Sequence, residues 1–314
     1  MHPMTKDLKI VFMGTPDFAV ASLDILVQNG FNIVGVITAP DKPAGRGLQL
    51  QESAVKKYAV SKGLHILQPE KLKNPAFIAE LAALKADLQV VVAFRMLPEI
   101  VWNMPPEGTI NVHASLLPNY RGAAPINWAI INGETTSGVT TFKLQHEIDT
   151  GDILFNDSVE IREDETAGEL HDSLMQTGAR LLLKTVQAIA AGEVKETPQA
   201  AISPEDIKHA PKIFKETCQI DWQQPLDKVY NLVRGLSPYP TAWTTFQGKN
   251  LKIYKAHKEH ITPSKAPGEF DTDHKTFMKI ATPDGYLHLD EIQLEGKKRM
   301  DIGAFLRGHR PDSN

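Results

Sequence analysis

Cysteine is almost absent: Cys218 is the only one in 314 residues. A single thiol excludes an internal disulfide framework and any cysteine-based zinc or iron–sulfur cluster, and it suits a reducing interior. Long apolar runs are missing as well. The longest stretches, such as Val90 to Phe94, fall far short of the roughly 20 residues that cross a bilayer, so no membrane association is expected. At the N-terminus Lys6, Asp7 and Lys9 interrupt the opening, and the apolar run Ile10 to Met13 is shorter than the about 7 to 15 residues of a signal-peptide core. The expectation is a cytoplasmic protein.

The common nucleotide and hydrolase motifs are lacking too. No G-x-x-x-x-G-K-[ST] occurs, and Gly45-Arg46-Gly47 has Leu50 where a dinucleotide fingerprint needs its third glycine. G-x-S-x-G does not occur, and His146-Glu147 has Thr150 where H-E-x-x-H needs its second histidine. Neither a serine hydrolase nor a zinc hydrolase fits. Ser115 stands two residues from His113 with no elbow motif around it, which argues against a nucleophilic serine.

What is present describes a globular chain. With 42% hydrophobic and 23% charged residues there is enough apolar material for a packed interior, and the length exceeds what one core holds comfortably, so two domains are expected. The formal charge of -4 is unevenly spread. Residues 207–314 hold 17 Lys and Arg against 13 Asp and Glu, a net of +4, which leaves -8 for the remainder. An acidic body with an anion-facing appendage has this pattern, as does a merely solvated surface.

Strand and helix signals alternate through the first half. Leu8 to Met13 is an apolar run that turns at Gly14-Thr15-Pro16-Asp17 into the helical spacing of Phe18 to Val27; Asn32 to Thr38 repeats the strand signal. Helices are expected over 52–62, 74–85, 125–131 and 167–191, and strands over 88–94, 109–112, 139–144 and 153–161. This alternation implies a twisted, mostly parallel sheet covered on both faces, with ligands outside the carboxyl ends of its strands. The division expected is a catalytic domain at 1–191, a proline-containing linker at 192–210, and a C-terminal domain at 211–314. In the last of these, short strand-like pieces at 251–256, 276–281 and 286–293, with one early helix at 227–236, point to a small β-barrel.

The candidate chemistry lies in Asn111 to Pro125 (NVHASLLPNYRGAAP). If 109–112 is a strand, Asn111 and His113 project on the same side at its carboxyl end. An imidazole beside an amide offers proton transfer near neutral pH and a hydrogen bond for a developing oxyanion. An Asn-x-His pair is equally the mark of a structural histidine held by backbone. The acidic turn Glu147 to Asp152 could meet this edge, which would let Asp149 or Asp152 orient His113. The polar segment Asp41 to Gly47 (DKPAGRG) reads as a surface loop, or as a mobile arm that brings Lys42 and Arg46 to phosphates.

Taken together, FMGTPDFAV, DKPAGRG, NVHASLLPNYRGAAPINWAIINGE, DTGDIL and the C-terminal PKI, IDW, IQLEGKKRM and FLRG segments resemble the methionyl-tRNA formyltransferase family in order and spacing over nearly the whole chain. The resemblance implies an α/β fold: a Rossmann-like formyltransferase domain with a mostly parallel sheet, plus a small C-terminal β-barrel resembling an OB fold. It implies transfer of a formyl group from 10-formyltetrahydrofolate, without metal, to the amino group of methionyl initiator tRNA for translation initiation, by a monomer. The catalytic residues it implies are Asn111, His113 and Asp149. Folate would be contacted by Ser115, Leu116, Leu117 and Pro118, with Phe94 and Met96, and tRNA by Lys42 and Arg46. One departure is visible: the family commonly has an aromatic-Gly pair after the VVVA strand, and this chain has Phe94-Arg95. A formyltransferase of the same fold acting on a small amine, and a non-catalytic tRNA-binding module, are the alternatives.

Overall fold

The computed structural model describes residues 7–201 and 203–309. In chain order the elements are β1 (Lys9–Gly14), α1 (Asp17–Gln28), β2 (Asn32–Ile37), β3 (Lys42–Ala44), β4 (Gln49–Gln51), α2 (Ala54–Ser61), β5 (Ile66–Leu67), α3 (Pro75–Ala83), β6 (Leu88–Val92), α4 (Glu99–Trp102), β7 (Thr109–His113), β8 (Arg121–Gly122), α5 (Pro125–Ile131), β9 (Thr136–Lys143), β10 (Ile153–Glu160) and α6 (Ala167–Ala191). They continue with β11 (His209–Ala210), α7 (Leu226–Gly235), β12 (Ala242–Phe246), β13 (Lys249–Glu259), β14 (Phe270–Thr272), β15 (Met278–Thr282), β16 (Gly285–Leu294), β17 (Met300–Asp301) and α8 (Ile302–Gly308). The chain forms two compact units, and they interleave along the sequence. One takes in the residues up to Gly122 with Ser137–Val159 and His171–Lys208; the other takes in Ala123–Thr136, Glu160–Leu170 and the chain from His209 onward.

The first unit is built on a seven-stranded sheet of order β10-β9-β7-β6-β1-β2-β5. β1 pairs in parallel with β2 and β6, β2 with β5, and β6 with β7, while β9 joins β7 antiparallel. β1 and β6 are buried almost throughout, as strands covered on both faces must be. α1 follows β1 through a turn that requires glycine: a Cβ on Gly14 would lie 2.7 Å from the Cβ of Ala19 and 2.8 Å from the carbonyl of Val92. The helix then buries Phe18, Ala19, Ser22, Leu23 and Leu26, the three-to-four spacing of one face. One of the apolar cores includes Val11, Met13, Ile37, Phe77, Leu81 and Val91. Ser53 caps α2 by accepting from Lys56 N at 3.0 Å, and Asn74 caps α3, with Pro75 at the first helical position.

Two segments differ from the sequence reading. The run 88–94 is strand only to Val92, because Ala93 takes a left-handed φ of 49°. The segment 41–47, read as a loop, begins a short hairpin: Lys42 pairs with Gln51 and Ala44 with Gln49. Its tip turns through Gly45, Gly47 and Leu48, all at positive φ. Its strands are three residues each and almost wholly exposed, too short for a period-two pattern to announce them. Within 192–210, the stretch expected to be a linker, Lys208 N donates to Asn119 Oδ1 at 3.1 Å. Thr197 and Ile153 exchange main-chain bonds of 2.7 and 2.9 Å.

The second unit holds a curled antiparallel sheet of order β12-β13-β16-β15-β14 with β17 on β16, a half-barrel of OB-like form. Register shifts in β13 between Ile253 and Ala256 mark where it bends. Leu226, Val229 and Val233 of α7 pack with Leu251, Ile253, Leu287, Ile292 and Phe305 in one core. Asp301 caps α8 through Ala304 N at 2.8 Å. Sequence periodicity found the middles of β13, β15 and β16 and missed β12, β14 and β17, two of which are three residues or fewer. Among the described residues, no helix is long and apolar enough to cross a membrane.

Candidate active site

In the first unit β1, β2, β5, β6 and β7 run parallel and end at Gly14, Ile37, Leu67, Val92 and His113. β7 lies between β6, where Val91 pairs with Asn111, and β9, where His113 pairs with Thr140. Asn111 and His113 therefore project from one face of an interior strand at its carboxyl end. Asn111 is half-buried and His113 is 8% exposed. The carboxamide of Asn111 has no hydrogen-bond partner among the described residues.

The imidazole is pinned on one side only. Its Nε2 lies 2.8 Å from the carbonyl oxygen of Tyr120; a carbonyl only accepts, so Nε2 carries hydrogen and donates. Nδ1 makes no hydrogen bond of its own among the described residues, and it faces Asp149 Oδ2 at 3.9 Å, beyond hydrogen-bond length. Tyr120 thus sets the orientation of the ring, and Asp149 supplies a carboxylate opposite its Nδ1 edge. The same Asp149 oxygen accepts from the main-chain N–H of Gly122 at 3.1 Å.

Two residues of this cluster are in the left-handed region, Tyr120 at φ 60° and Asp149 at φ 55°. Such conformations cost of order 1–3 kcal/mol unless surrounding bonds impose them, and they gather at functional sites. Here the bonds are visible. Tyr120 N–H donates to Lys208 O at 2.6 Å. Gln199 Nε2 donates to the main-chain carbonyls of Asp149 at 2.6 Å and Gly151 at 3.0 Å, and its Oε1 accepts from Arg121 at 2.7 Å.

The expected folate segment follows β7 directly. Ser115, Leu117 and Pro118 are buried and Leu116 is half-buried. Ser115 Oγ donates to Asn119 O at 2.7 Å, which occupies it structurally. Thr140 on β9 braces the segment, donating to Ser115 O at 2.7 Å and accepting from Leu117 N at 3.2 Å. Phe94 is half-buried and Met96 is 72% exposed, both just past β6. Lys42 and Arg46 are exposed on the β3–β4 hairpin. Asp152, the other carboxylate considered for His113, makes no ion pair with it. Among the described residues, no group of three or more His, Cys, Asp or Glu side chains is placed to hold a metal ion.

Sequence reasoning missed Tyr120, Gly122, Thr140 and Gln199. Tyr120 and Gly122 act through main-chain atoms, which their residue types do not announce. Gln199 is 50 residues from Asp149 in a segment without periodicity.

A family profile described as formyl transferase matches residues 8–186, and one described as formyl transferase, C-terminal domain, matches 212–310. The methionyl-tRNA formyltransferase of Parabacteroides distasonis is 56% identical over 313 residues, covering 97% of each chain. Among solved structures, an N-formyltransferase from Helicobacter canadensis, in complex with folinic acid and dTDP-3-aminofucose, superposes with a TM-score of 0.68 at 21% identity. That match covers 93% of this chain and all of the other. HypX from Aquifex aeolicus, in complex with tetrahydrofolic acid, gives 0.65 at 21%, over 96% of this chain and 48% of HypX. The solved structures share the fold. Matches to both family profiles, and identity above one half along nearly the full length of a curated relative, place the chain in the methionyl-tRNA formyltransferase family.

Proposed function

We propose that the chain transfers the formyl group of 10-formyltetrahydrofolate to the amino group of methionine on initiator tRNA, with Asn111, His113 and Asp149 as catalytic residues. The observation that carries this is the half-pinned imidazole: Nε2 is held by Tyr120 O at 2.8 Å while Nδ1 faces Asp149 at 3.9 Å. The methionyl amine attacks the formyl carbon to give a tetrahedral intermediate. Asn111, with its amide uncommitted, and His113, protonated on Nδ1, stabilise the oxyanion, and Asp149 provides the counter-charge. Collapse breaks the bond from the formyl carbon to N10. The amine loses one proton and N10 gains one: Nδ1 gives its proton to N10 as the bond breaks and then takes one from the attacking nitrogen, which returns the ring to its starting state.

In this reading Ser115 to Pro118, Phe94 and Met96 border the folate site, Lys42 and Arg46 meet the acceptor end, and residues 211–314 bind tRNA phosphates. The net charge of +4 over residues 207–314 supports the last assignment. Residues 1–191 carry the chemistry, with 192–210 leading onward. The protein works as a monomer in the cytoplasm; a single cysteine, buried, suits that compartment.

The test is formylation of charged initiator tRNA against free methionine, charged elongator tRNA and a sugar amine. Transfer to initiator tRNA, weakening steeply with salt, is the expected result. Preference for the small amine would move the chain to the other substrate class. Arg46→Ala should lower tRNA use and leave folate affinity unchanged.

A further inference from the structure

Outside the His113 cluster, the carboxyl edge of the sheet carries a second set of linked side chains. The strands there run in the order β6-β1-β2-β5. The connections that follow β6 and β5 therefore start three strand spacings apart, about 14 Å at roughly 4.8 Å each. Arg95 nevertheless joins them: it donates to Glu70 O and Pro69 O, both at 2.9 Å. Both connections must lean over the ends of β1 and β2 to make these bonds.

The chain of contacts continues. Gln68, next to Pro69, donates through Nε2 to Ala39 O at 3.0 Å and to Asp41 Oδ1 at 2.8 Å. The other Asp41 oxygen accepts from Lys56 of α2 at 2.7 Å, and these bonds hold the Asp41 carboxyl below the ordinary carboxylate range. Asp41 immediately precedes β3. A continuous path thus runs from the loop after β6 to the base of the β3–β4 hairpin.

Stability alone does not account for Arg95. No carboxylate lies within ion-pair distance of it among the described residues, and its Nε is buried without a partner. Burial also pulls its pKa below the usual arginine range. Leaving a buried N–H unsatisfied costs free energy, and an apolar side chain would avoid that cost while giving up the reach to residues 69 and 70.

We propose that Arg95, Gln68, Asp41 and Lys56 form a strut that fixes the β3–β4 hairpin relative to the loop after β6. Arg95 and Gln68 are then positioning residues, holding the arm that meets the tRNA acceptor end in register with the formyl donor. This rests on the functional reading above, which puts tRNA on the hairpin and folate beside Phe94 and Met96.

The experiment keeps the two apart. A nitroxide attached through Leu48→Cys, at a hairpin position 75% exposed, reports the arm's motion; Cys218 is 2% exposed and stays unlabelled. Gln68→Met and Arg95→Met remove the donors and keep side-chain length. Each should sharpen the label's spectrum without substrate and raise KM for initiator methionyl-tRNA on the order of 10-fold, the scale of one lost hydrogen bond to a charged or carbonyl partner. Turnover should stay within about twofold, since no reacting group is touched. KM for 10-formyltetrahydrofolate should rise with Arg95→Met and stay level with Gln68→Met, and Arg95→Lys should recover part of the loss. Unchanged label mobility in both Met variants overturns the strut. A freed label with unchanged KM for tRNA overturns the positioning role. Absence of tRNA formylation by the wild-type enzyme removes the functional reading instead, and the label alone then judges the strut.

Discussion

The carboxamide of Gln199 donates to the main-chain carbonyl of Asp149 at 2.6 Å and is itself fixed by Arg121 at 2.7 Å. Asp149 sits at φ 55°, where a non-glycine residue stays only if its surroundings hold it. Gln199→Met removes the donor at constant size, so the turn relaxes and the carboxylate shifts relative to Nδ1 of His113. Misplacing a reacting group by about 1 Å costs on the order of 10²-fold. Turnover is expected to fall by about 10- to 100-fold with both KM values within about threefold. Steady-state kinetics decide this: a raised KM with intact turnover would assign Gln199 to substrate binding.

Replacing the imidazole or its neighbouring amide acts on the chemistry directly. His113→Ala and Asn111→Ala are each expected to lower turnover by on the order of 10² to 10⁴, with circular dichroism and melting temperature close to wild type. The double variant should fall short of the product of the two, because both groups serve one oxyanion. Near-normal turnover in either single variant takes that residue out of the mechanism.

The parallel sheet was legible because its strands are short runs of apolar residues between helices of clear spacing, as Leu88 to Val92 and Phe18 to Leu26 illustrate. Asn111 and His113 were legible for a related reason: period-two geometry on β7 is local, so spacing alone puts them together. Asp149 required the resemblance, since nothing in residues 147–152 says which carboxylate faces β7. The parts that hold these groups in place were not legible. Tyr120 acts through a carbonyl and Gly122 through an N–H, and Gln199 reaches Asp149 from across the fold. Non-local contacts to main-chain atoms leave no residue-type signature.

A pH dependence of stability is expected in the second unit. His257 and His288 pair across β13 and β16 with rings stacked at 4.5 Å. His257 has Asp290 at 2.8 Å; His288 has Glu259 at 3.3 Å, and Glu259 also accepts from Lys279. Burial chiefly, opposed by Glu259 and assisted by the neighbouring His257, lowers the His288 pKa from 6.5. Between that folded value and 6.5 the unfolded chain binds more protons at this site. Its contribution is therefore fully present above about pH 6.5 and is lost as pH falls through the window. Protection of the β13 and β16 amides against hydrogen exchange should fall as the pH drops below about 6.5. In His288→Gln that loss of protection should shrink; an identical profile would assign it to other groups.

Glycine at 151 ties the stability of the first unit to its chemistry. A Cβ there would lie 1.5 Å from Lys143 O, 2.7 Å from Lys143 C and 3.2 Å from Phe142 Cδ2, and the nearest of these atoms are backbone of β9, which cannot rotate away. Gly151→Ala must therefore part residues 151–152 from the end of β9, endangering the bond from Lys143 N to Asp152 O at 3.0 Å and that from Gln199 to Gly151 O at 3.0 Å. Overpacking against backbone costs about 3 kcal/mol or more, so the melting temperature should drop by roughly 6–12 °C. Turnover should fall as well, because Asp149 is two residues upstream. Gly192→Ala separates crowding from conformation: Gly192 has positive φ with nothing within 4 Å of the added carbon, so only the left-handed backbone is penalised, about 1–2 kcal/mol. Equal losses in the two variants would show that close approach at Gly151 is relieved by a small shift, and that Asp149 does not depend on it.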